Sequence, residues 1–353
     1  MIVNSILSRN YIRVGFAIII GLIGAQIFAF AGFPLPWLLG SIFFCLVAAI
    51  LGIPVKGPGK SVLPMRVVLG VAIGSSFTLD LFQRLGEFLG SLIVVVPVTF
   101  AIFFIGFFYF RYIARFDVTT STYSAMPGGM ADMLTLGAAA GADARVLSLI
   151  HATRVLLIVF TLPFGFQFLG GLKSQGLSLS YISIFDQPFI DLATLALIGG
   201  LGWWAASAAH ISGAAIIGPM LLSAVCHLSG LTAAGPPIEL VNLAQLVIGC
   251  QVGCLFTDFT FKQIVRVVWL SLGLSICTLL LACGVAYGVA TILGFDLKAA
   301  ILAFSPGGQA EMILVAIGLG VDLPYVALHH ITRMIIVIGF ASLVHRWMVK
   351  WWS

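Results

Sequence analysis

Apolar runs long enough to cross about 30 Å of hydrocarbon follow one another along this chain. They lie near 13–32, 35–52, 62–79, 88–110, 145–169, 190–209, 213–230, 240–257, 265–293 and 324–348. In lipid every backbone N–H and C=O has to be satisfied within the protein, which leaves helices or a closed barrel. A barrel would alternate in segments of about ten residues, and these runs do not alternate. Only 8% of the residues are charged and the mean hydropathy is +1.17, whereas a soluble domain carries about 25% charged residues. The expected fold class is therefore all-α and polytopic in a membrane, with no soluble domain. The net charge of +5 needs no nucleic acid, because Lys and Arg collect in loops as they do in inner-membrane proteins generally. The expected location is an inner (cytoplasmic) membrane, crossed several times. Arg9 and Arg13 precede the first run as in a secretory signal, but that run is of full spanning length, so a retained helix is expected.

One short motif is written twice. Pro127-Gly128-Gly129-Met130-Ala131-Asp132-Met133 returns 179 residues later as Pro306-Gly307-Gly308-Gln309-Ala310-Glu311-Met312. The offset continues through Gly141/Gly320, Asp143/Asp322, His151/His330 and Arg154/Arg333, and upstream through Gly70/Gly249 and Gly74/Gly253. Two homologous membrane repeats, 1–172 and 190–353, joined by a linker over 173–189, are expected. The motifs interrupt two further apolar segments, near 119–140 and 298–319. The loop near 53–66 carries Lys56, Lys60 and Arg66, while its counterpart near 231–245 carries no Lys or Arg. That reversal of charge bias favours inverted repeats of five spans each, with two re-entrant broken Pro-Gly-Gly helices. Six plus six parallel repeats are the alternative. Pro36-Trp37-Leu38-Leu39-Gly40 resembles Pro219-Met220-Leu221-Leu222-Ser223 at an offset of 183 and reads as a paired helix start.

The motif carries the chemistry. Proline removes a donor and ends the helix before it, and two glycines permit tight turns and close approach. A helix restarting after the break points its first-turn amides and its positive dipole end into the membrane. Asp132 and Glu311 then have two readings, a cap on that first turn or an ionisable group kept in the membrane for function. Asp143 and Asp322 read as N-caps. His151 and Arg154, like His330 and Arg333, share a helix face, and nine residues at about 1.5 Å each put both arginines about 13 Å into the membrane. An arginine there keeps its proton and has to be paired or to face a wet cavity. Either each arginine is a static staple to a carboxylate, or both face an anionic substrate while Asp132, Glu311 or the histidines titrate. The candidate substrate- and ion-binding residues are thus Pro127, Gly128, Gly129, Asp132, His151, Arg154, Pro306, Gly307, Gly308, Glu311, His330 and Arg333. Neither catalytic residues nor metal ligands are expected, and no cofactor. His210, His227, His329 and His345 lack repeat partners and are assigned packing or interface roles, and the six cysteines read as core thiols. Gly70, Gly74, Gly249 and Gly253 read as helix contacts, and Trp347, Trp351 and Trp352 as an interfacial anchor.

The duplicated Pro-Gly-Gly-x-Ala-acid-Met, followed by Gly-x-Asp and His-x-x-Arg, resembles the AbrB duplication family of bacterial inner-membrane proteins over nearly the whole chain. The resemblance implies that Pro127, Gly128, Gly129 and Asp132, with Pro306, Gly307, Gly308 and Glu311, are the family's motif residues. Met130 and Gln309 stand where Leu is common, and Asp132 is shorter than the usual Glu. Members carry conflicting labels, ammonia monooxygenase and regulator of gene expression among them. An oxygenase needs a metal or organic cofactor to activate oxygen, and the best cluster here, His329, His330 and Glu311, is a poor one. Direct DNA binding needs a folded basic element that reaches a groove, and these loops are too short. The leading expectation is a secondary transporter or exporter of a small solute, an anionic one on the sharper reading, coupled to protons or sodium. A non-transporting sensor or regulator acting indirectly on gene expression is the alternative. The expected partners are the solute, a coupling ion and the bilayer, with no nucleic acid; a homo-oligomer is compatible with the sequence.

Overall fold

The computed structural model describes residues 2–170, 182–257, 259 and 261–352, so residues 173–181 of the expected linker lie outside it. The described residues form α-helices with no strand among them. The first repeat contributes α1 (Ile2–Phe30), α2 (Pro36–Ile50), α3 (Val62–Ser75), α4 (Leu79–Phe108), α5 (Val118–Ala125), α6 (Met130–Ala139) and α7 (Ala144–Gly170). The second contributes α8 (Phe189–Ala208), α9 (Ala214–Leu228), α10 (Ile238–Gly253), α11 (Phe261–Leu293), α12 (Leu297–Phe304), α13 (Gln309–Leu319) and α14 (Leu323–Trp352). Among the described residues, seven helices are long and apolar enough to cross a membrane: those of α1, α4, α7, α8, α10, α11 and α14. The elements flanking the motifs are far shorter, at 8 and 10 residues for α5 and α6 and 8 and 11 for α12 and α13. At about 1.5 Å per residue none covers more than about 17 Å, so each motif segment is a broken helix.

The equivalence between repeats is close at the level of elements. The 179-residue offset carries α5 onto α12 end to end, and the start of α6 onto the start of α13. Further upstream the offset is 178, which carries α2 onto α9 end to end. The pairing of Pro36 with Pro219 is therefore corrected. Pro36 opens α2, where its missing N–H costs nothing, whereas Pro219 lies inside α9. Glycine contacts set the true register. Gly24 and Gly40 leave no room for each other's side chains where α1 meets α2, and Gly202 and Gly218 do the same, 178 residues on, where α8 meets α9.

The chain packs as two compact units, and each repeat supplies helices to both. One unit comprises Met1–Arg84, Pro163–Asp258 and Ile313–Pro324. In it a Cβ on Gly70 or Gly74 of α3 would run into Ile216 and Met220 of α9, and one on Gly249 or Gly253 of α10 would run into Leu38 and Ile42 of α2. These are the same contacts made reciprocally, each repeat's third helix lying against the other repeat's second. The expected small-residue faces are thus helix contacts, driven by close backbone approach where water supplies no hydrophobic force. Cys45 and Cys250 are buried core thiols that both donate to the Ala17 carbonyl, at 3.2 and 3.3 Å. The described end of the linker is tied down by Glu239, which accepts from Ser183 Oγ at 2.7 Å and from the Ile184 amide at 2.9 Å.

The other unit comprises Leu85–Leu162, Phe259–Met312 and Tyr325–Ser353 and holds both motif turns. Three of its helices begin on side-chain caps. Asp117 opens α5 by accepting from the Thr120 amide at 2.8 Å, and Asp296, 179 residues on, opens α12 by accepting from the Ala299 amide at 2.8 Å. Asp143 caps α7 as expected, accepting from the Arg145 and Val146 amides at 2.9 and 3.1 Å. His329 packs in this unit within a buried ring of hydrogen bonds. Its Nε2 lies 2.8 Å from Ser91 Oγ, Ser91 Oγ lies 2.6 Å from Tyr325 Oη, and its Nδ1 donates to the Tyr325 carbonyl at 2.8 Å.

Candidate functional site

A helix broken inside an apolar region leaves its last carbonyls and the next helix's first amides without partners. The two motif copies resolve this in the same way, residue by residue. On the carbonyl side the His-x-x-Arg of the following long helix takes up the loss. In the first copy Arg154 donates to the Met126 carbonyl at 3.2 Å and the Gly128 carbonyl at 3.5 Å, and His151 Nε2 donates to the Tyr123 carbonyl at 3.1 Å. In the second, Arg333 donates to the Ser305 carbonyl and to the Gly307 carbonyl at 3.1 Å, and His330 Nε2 donates to the Leu302 carbonyl at 3.0 Å. Every acceptor in one copy is the 179-residue counterpart of an acceptor in the other. The staple that joins each broken segment to the next long helix is therefore made to backbone carbonyls. A guanidinium serves because its planar fork reaches two acceptors and its charge favours the negative end of the half-helix.

The partners also fix the histidines. Arg154 Nη2 lies 2.9 Å from His151 Nδ1, and Arg333 Nη2 lies 2.8 Å from His330 Nδ1. A guanidinium only donates and a carbonyl only accepts, so each imidazole holds its hydrogen on Nε2 and a lone pair on Nδ1. Both rings are neutral, with both nitrogens engaged. They are fully buried, at 0% and 1% exposure, and neither has a free nitrogen with which to carry a proton in this state.

On the amide side the glycines and the acid work together. Gly129 precedes α6 with φ −62° and ψ 135°, and none of the four motif glycines has a positive φ. Their role is close approach, and the left-handed turn that Pro-Gly-Gly usually suggests does not occur. A Cβ on Gly128 would sit 3.0 Å from Met133 Cε, and one on Gly307 would sit 3.1 Å from Met312 Sδ. A Cβ on Gly129 would sit 2.7 Å from Asp132 Oδ2, and one on Gly308 would collide with Glu311 Oε2. Each carboxylate, at the third helical position, thus folds back over the glycine that starts its helix, as in the acid half of a capping box. Glu311 is 9% exposed and Asp132 is half-buried. The full motif now has a reason at most positions: proline breaks, one glycine admits the buried methionine, the other admits the acid.

The two turns meet at one place. Pro127, Gly128 and Gly129 from the first copy and Gly307 and Gln309 from the second line a hollow with His330, Arg333 and Met334 of α14. Its volume is about 250 Å³, counting the open space at its mouth. Gln309 and Arg333 bring side-chain donors to its lining. The Gln309 amide nitrogen is buried without a protein partner. Six of the eight lining residues were named from the sequence, and Met334 and Gln309 were not. Gln309 was missed because the motif comparison treats it as a variable position. Asp132, Glu311, His151 and Arg154 build the frame around the hollow. Among the described residues no three His, Cys, Asp or Glu side chains are grouped to hold a metal ion. The nitrogens of His329 and His330 are taken up by the hydrogen bonds above.

Comparison with known proteins places the chain in a family. The family described as "Transition state regulatory protein AbrB" matches residues 37–349. The chain is similar to "Uncharacterized protein YhjN" of Bacillus subtilis (strain 168), at 22% identity over 96% of this chain and 94% of that one. It is also similar to "Putative regulator AbrB" of Escherichia coli (strain K12), at 25% identity over 82% of this chain and 83% of that one. The family match spans both broken helices, both clamps and the hollow between them, and the chain belongs to the AbrB family.

Proposed function

We propose that this protein is a secondary transporter of a small anionic solute, bound where the two Pro-Gly-Gly turns meet and coupled to protons or sodium. One observation carries the reading: both helix breaks, with Arg333 and the unpartnered Gln309 amide, line a single hollow. Two helix starts, a guanidinium and a free amide donor make a site that wants an acceptor-rich, negative ligand. Discontinuous helices that meet in this way are a recurring device of secondary transporters. On this reading the repeats insert in opposite directions in the cytoplasmic membrane, and the two breaks enter from opposite faces. Because both clamp histidines are committed, coupling falls to Asp132 and Glu311. The protein is then a carrier and not an enzyme.

Flux of a panel of radiolabelled anions into proteoliposomes is the direct test. A Gln309→Ala variant is expected to weaken uptake about tenfold through the lost hydrogen bond, with unchanged thermal stability. Glu311→Gln is expected to uncouple uptake from the imposed ion gradient. Gradient-dependent uptake that survives both substitutions in folded protein would sink the assignment. The name of the Escherichia coli relative favours one second reading, a sensor that binds its ligand in the same hollow without moving it. Ligand-dependent thermal stabilisation with no flux would select that reading.

A further inference from the structure

A second hollow adjoins the first and shares Pro127 with it. It lies between α4 and α14 in the same compact unit, is about 280 Å³ counting its open mouth, and opens no polar atom on its walls. Phe100 and Phe103 of α4, Met126 and Pro127 of the first-copy break, and Val337 and Ala341 of α14 line it. Thr99 is the one lining residue with a polar side chain, and its hydroxyl is turned away to the Val95 carbonyl at 2.7 Å. Val337 packs against Gly128, where a Cβ would sit 2.9 Å from Val337 Cγ1. The first-copy turn thus borders both hollows.

Helix α14 links them. Arg333 lines the polar hollow, while Val337, Ala341 and Val344 line the apolar one. These positions follow one another at spacings of four, four and three, so they form one stripe down one face. From Arg333 to Val344 the stripe runs about 16 Å at 1.5 Å per residue. It begins at a guanidinium and an unpartnered amide and continues over bare hydrocarbon. A small inorganic anion would use only its first turn.

We propose that the solute is an amphiphilic anion. Its charged head lies in the polar hollow at Arg333 and Gln309, and its medium-length alkyl tail lies in the apolar hollow beside Pro127. This rests on the polar hollow being a solute site and names the chemical class that site takes. The head needs acceptor oxygens and negative charge. The tail needs only enough methylenes to reach Ala341 and Val344. A purely polar anion would leave the second hollow to lipid.

Alkanesulfonates test this, because they stay ionised at any working pH and cross bare bilayers slowly. Binding of radiolabelled 1-propanesulfonate and 1-octanesulfonate would be measured on the full chain in lipid nanodiscs, with empty nanodiscs subtracted. The octyl compound is expected to bind at least about tenfold more tightly, since each buried methylene adds to transfer. Ala341→Phe, which fills the apolar hollow, should bring it to the propyl level and leave propanesulfonate unchanged. Val344→Phe, at the half-buried rim, repeats the test should Ala341→Phe lower the yield of folded protein. Equal binding of both sulfonates, or an octyl advantage that survives both fillings, overturns the tail site while leaving the anion site standing. A phospholipid retained in native mass spectra and not displaced by octanesulfonate also overturns it. Failure of both sulfonates to bind removes the anion site and the proposal with it.

Discussion

The two copies of the broken helix share a frame and differ in what they show. Both hold their last carbonyls with a His-x-x-Arg, and both fold an acid over the glycine at the restart. The helices that lead into the breaks have little in common. Helix α5 reads Val-Thr-Thr-Ser-Thr-Tyr-Ser-Ala and buries Thr120, Ser121, Thr122 and Ser124 at 1% exposure or less. Helix α12 reads Leu-Lys-Ala-Ala-Ile-Leu-Ala-Phe. After the break, Met130 and Asp132 stand where the second copy has Gln309 and Glu311. What repeats is whatever satisfies the backbone, because an unpaired carbonyl in an apolar region costs the same in either copy. What diverges is the set of side chains free to meet a solute or pack differently.

That contrast can be broken most sharply at the clamp. Arg154→Ala and Arg333→Ala should each cost about 3–5 kcal/mol, since each strands two carbonyls and an imidazole acceptor. Thermal unfolding in detergent reads the loss. A matched frame predicts similar losses in the two copies, so one silent variant would end the idea of equivalence. Lysine at either position should recover only part of the loss, because a point charge lacks the fork.

The glycines under the acids come next and should separate the copies. Gly308→Ala is expected to cost about 2 kcal/mol and Gly129→Ala about 1 kcal/mol, because only the Gly308 methyl would collide with a carboxylate oxygen outright. Adding Glu311→Ala to Gly308→Ala should cost less than the two single losses summed, and a double-mutant cycle checks this coupling. Strict additivity would show that the carboxylate does not depend on the bare glycine.

Smaller effects refine the picture. His151→Phe and His330→Phe each remove one carbonyl bond and one acceptor, for about 1–2 kcal/mol, again measured by unfolding midpoints. The paired caps Asp117→Ala and Asp296→Ala should each cost about 1 kcal/mol. Their near-equality is the weakest but cleanest check that the repeats are capped alike.

Much of this frame was legible before any coordinates. Asp143 was readable as a cap from its place ahead of an apolar run, and the Pro-Gly-Gly segments as broken helices from proline alone. Asp117 and Asp296 obey the same 179-residue offset and were open to the same argument. The carbonyls of Tyr123 and Leu302 were not, because any residue supplies a carbonyl and nothing in its identity marks it as an acceptor. The pairing of Pro36 with Pro219 failed for a related reason. Five similar letters carry less information than the glycines that set where α2 and α9 touch their neighbours.

By itself the sequence determined the class of the molecule. It set helices in a membrane, a duplication, and two breaks, each with an acid just after it and a His-x-x-Arg further on. These follow from local chemistry: hydropathy, a missing amide hydrogen, and residue spacing. Only the tertiary structure decided that the arginines hold carbonyls, that the motif glycines admit side chains instead of bending the chain, and that both turns line one hollow beside a bare apolar one. Those outcomes depend on which distant atoms come within a few ångströms, and spacing along the chain does not encode that.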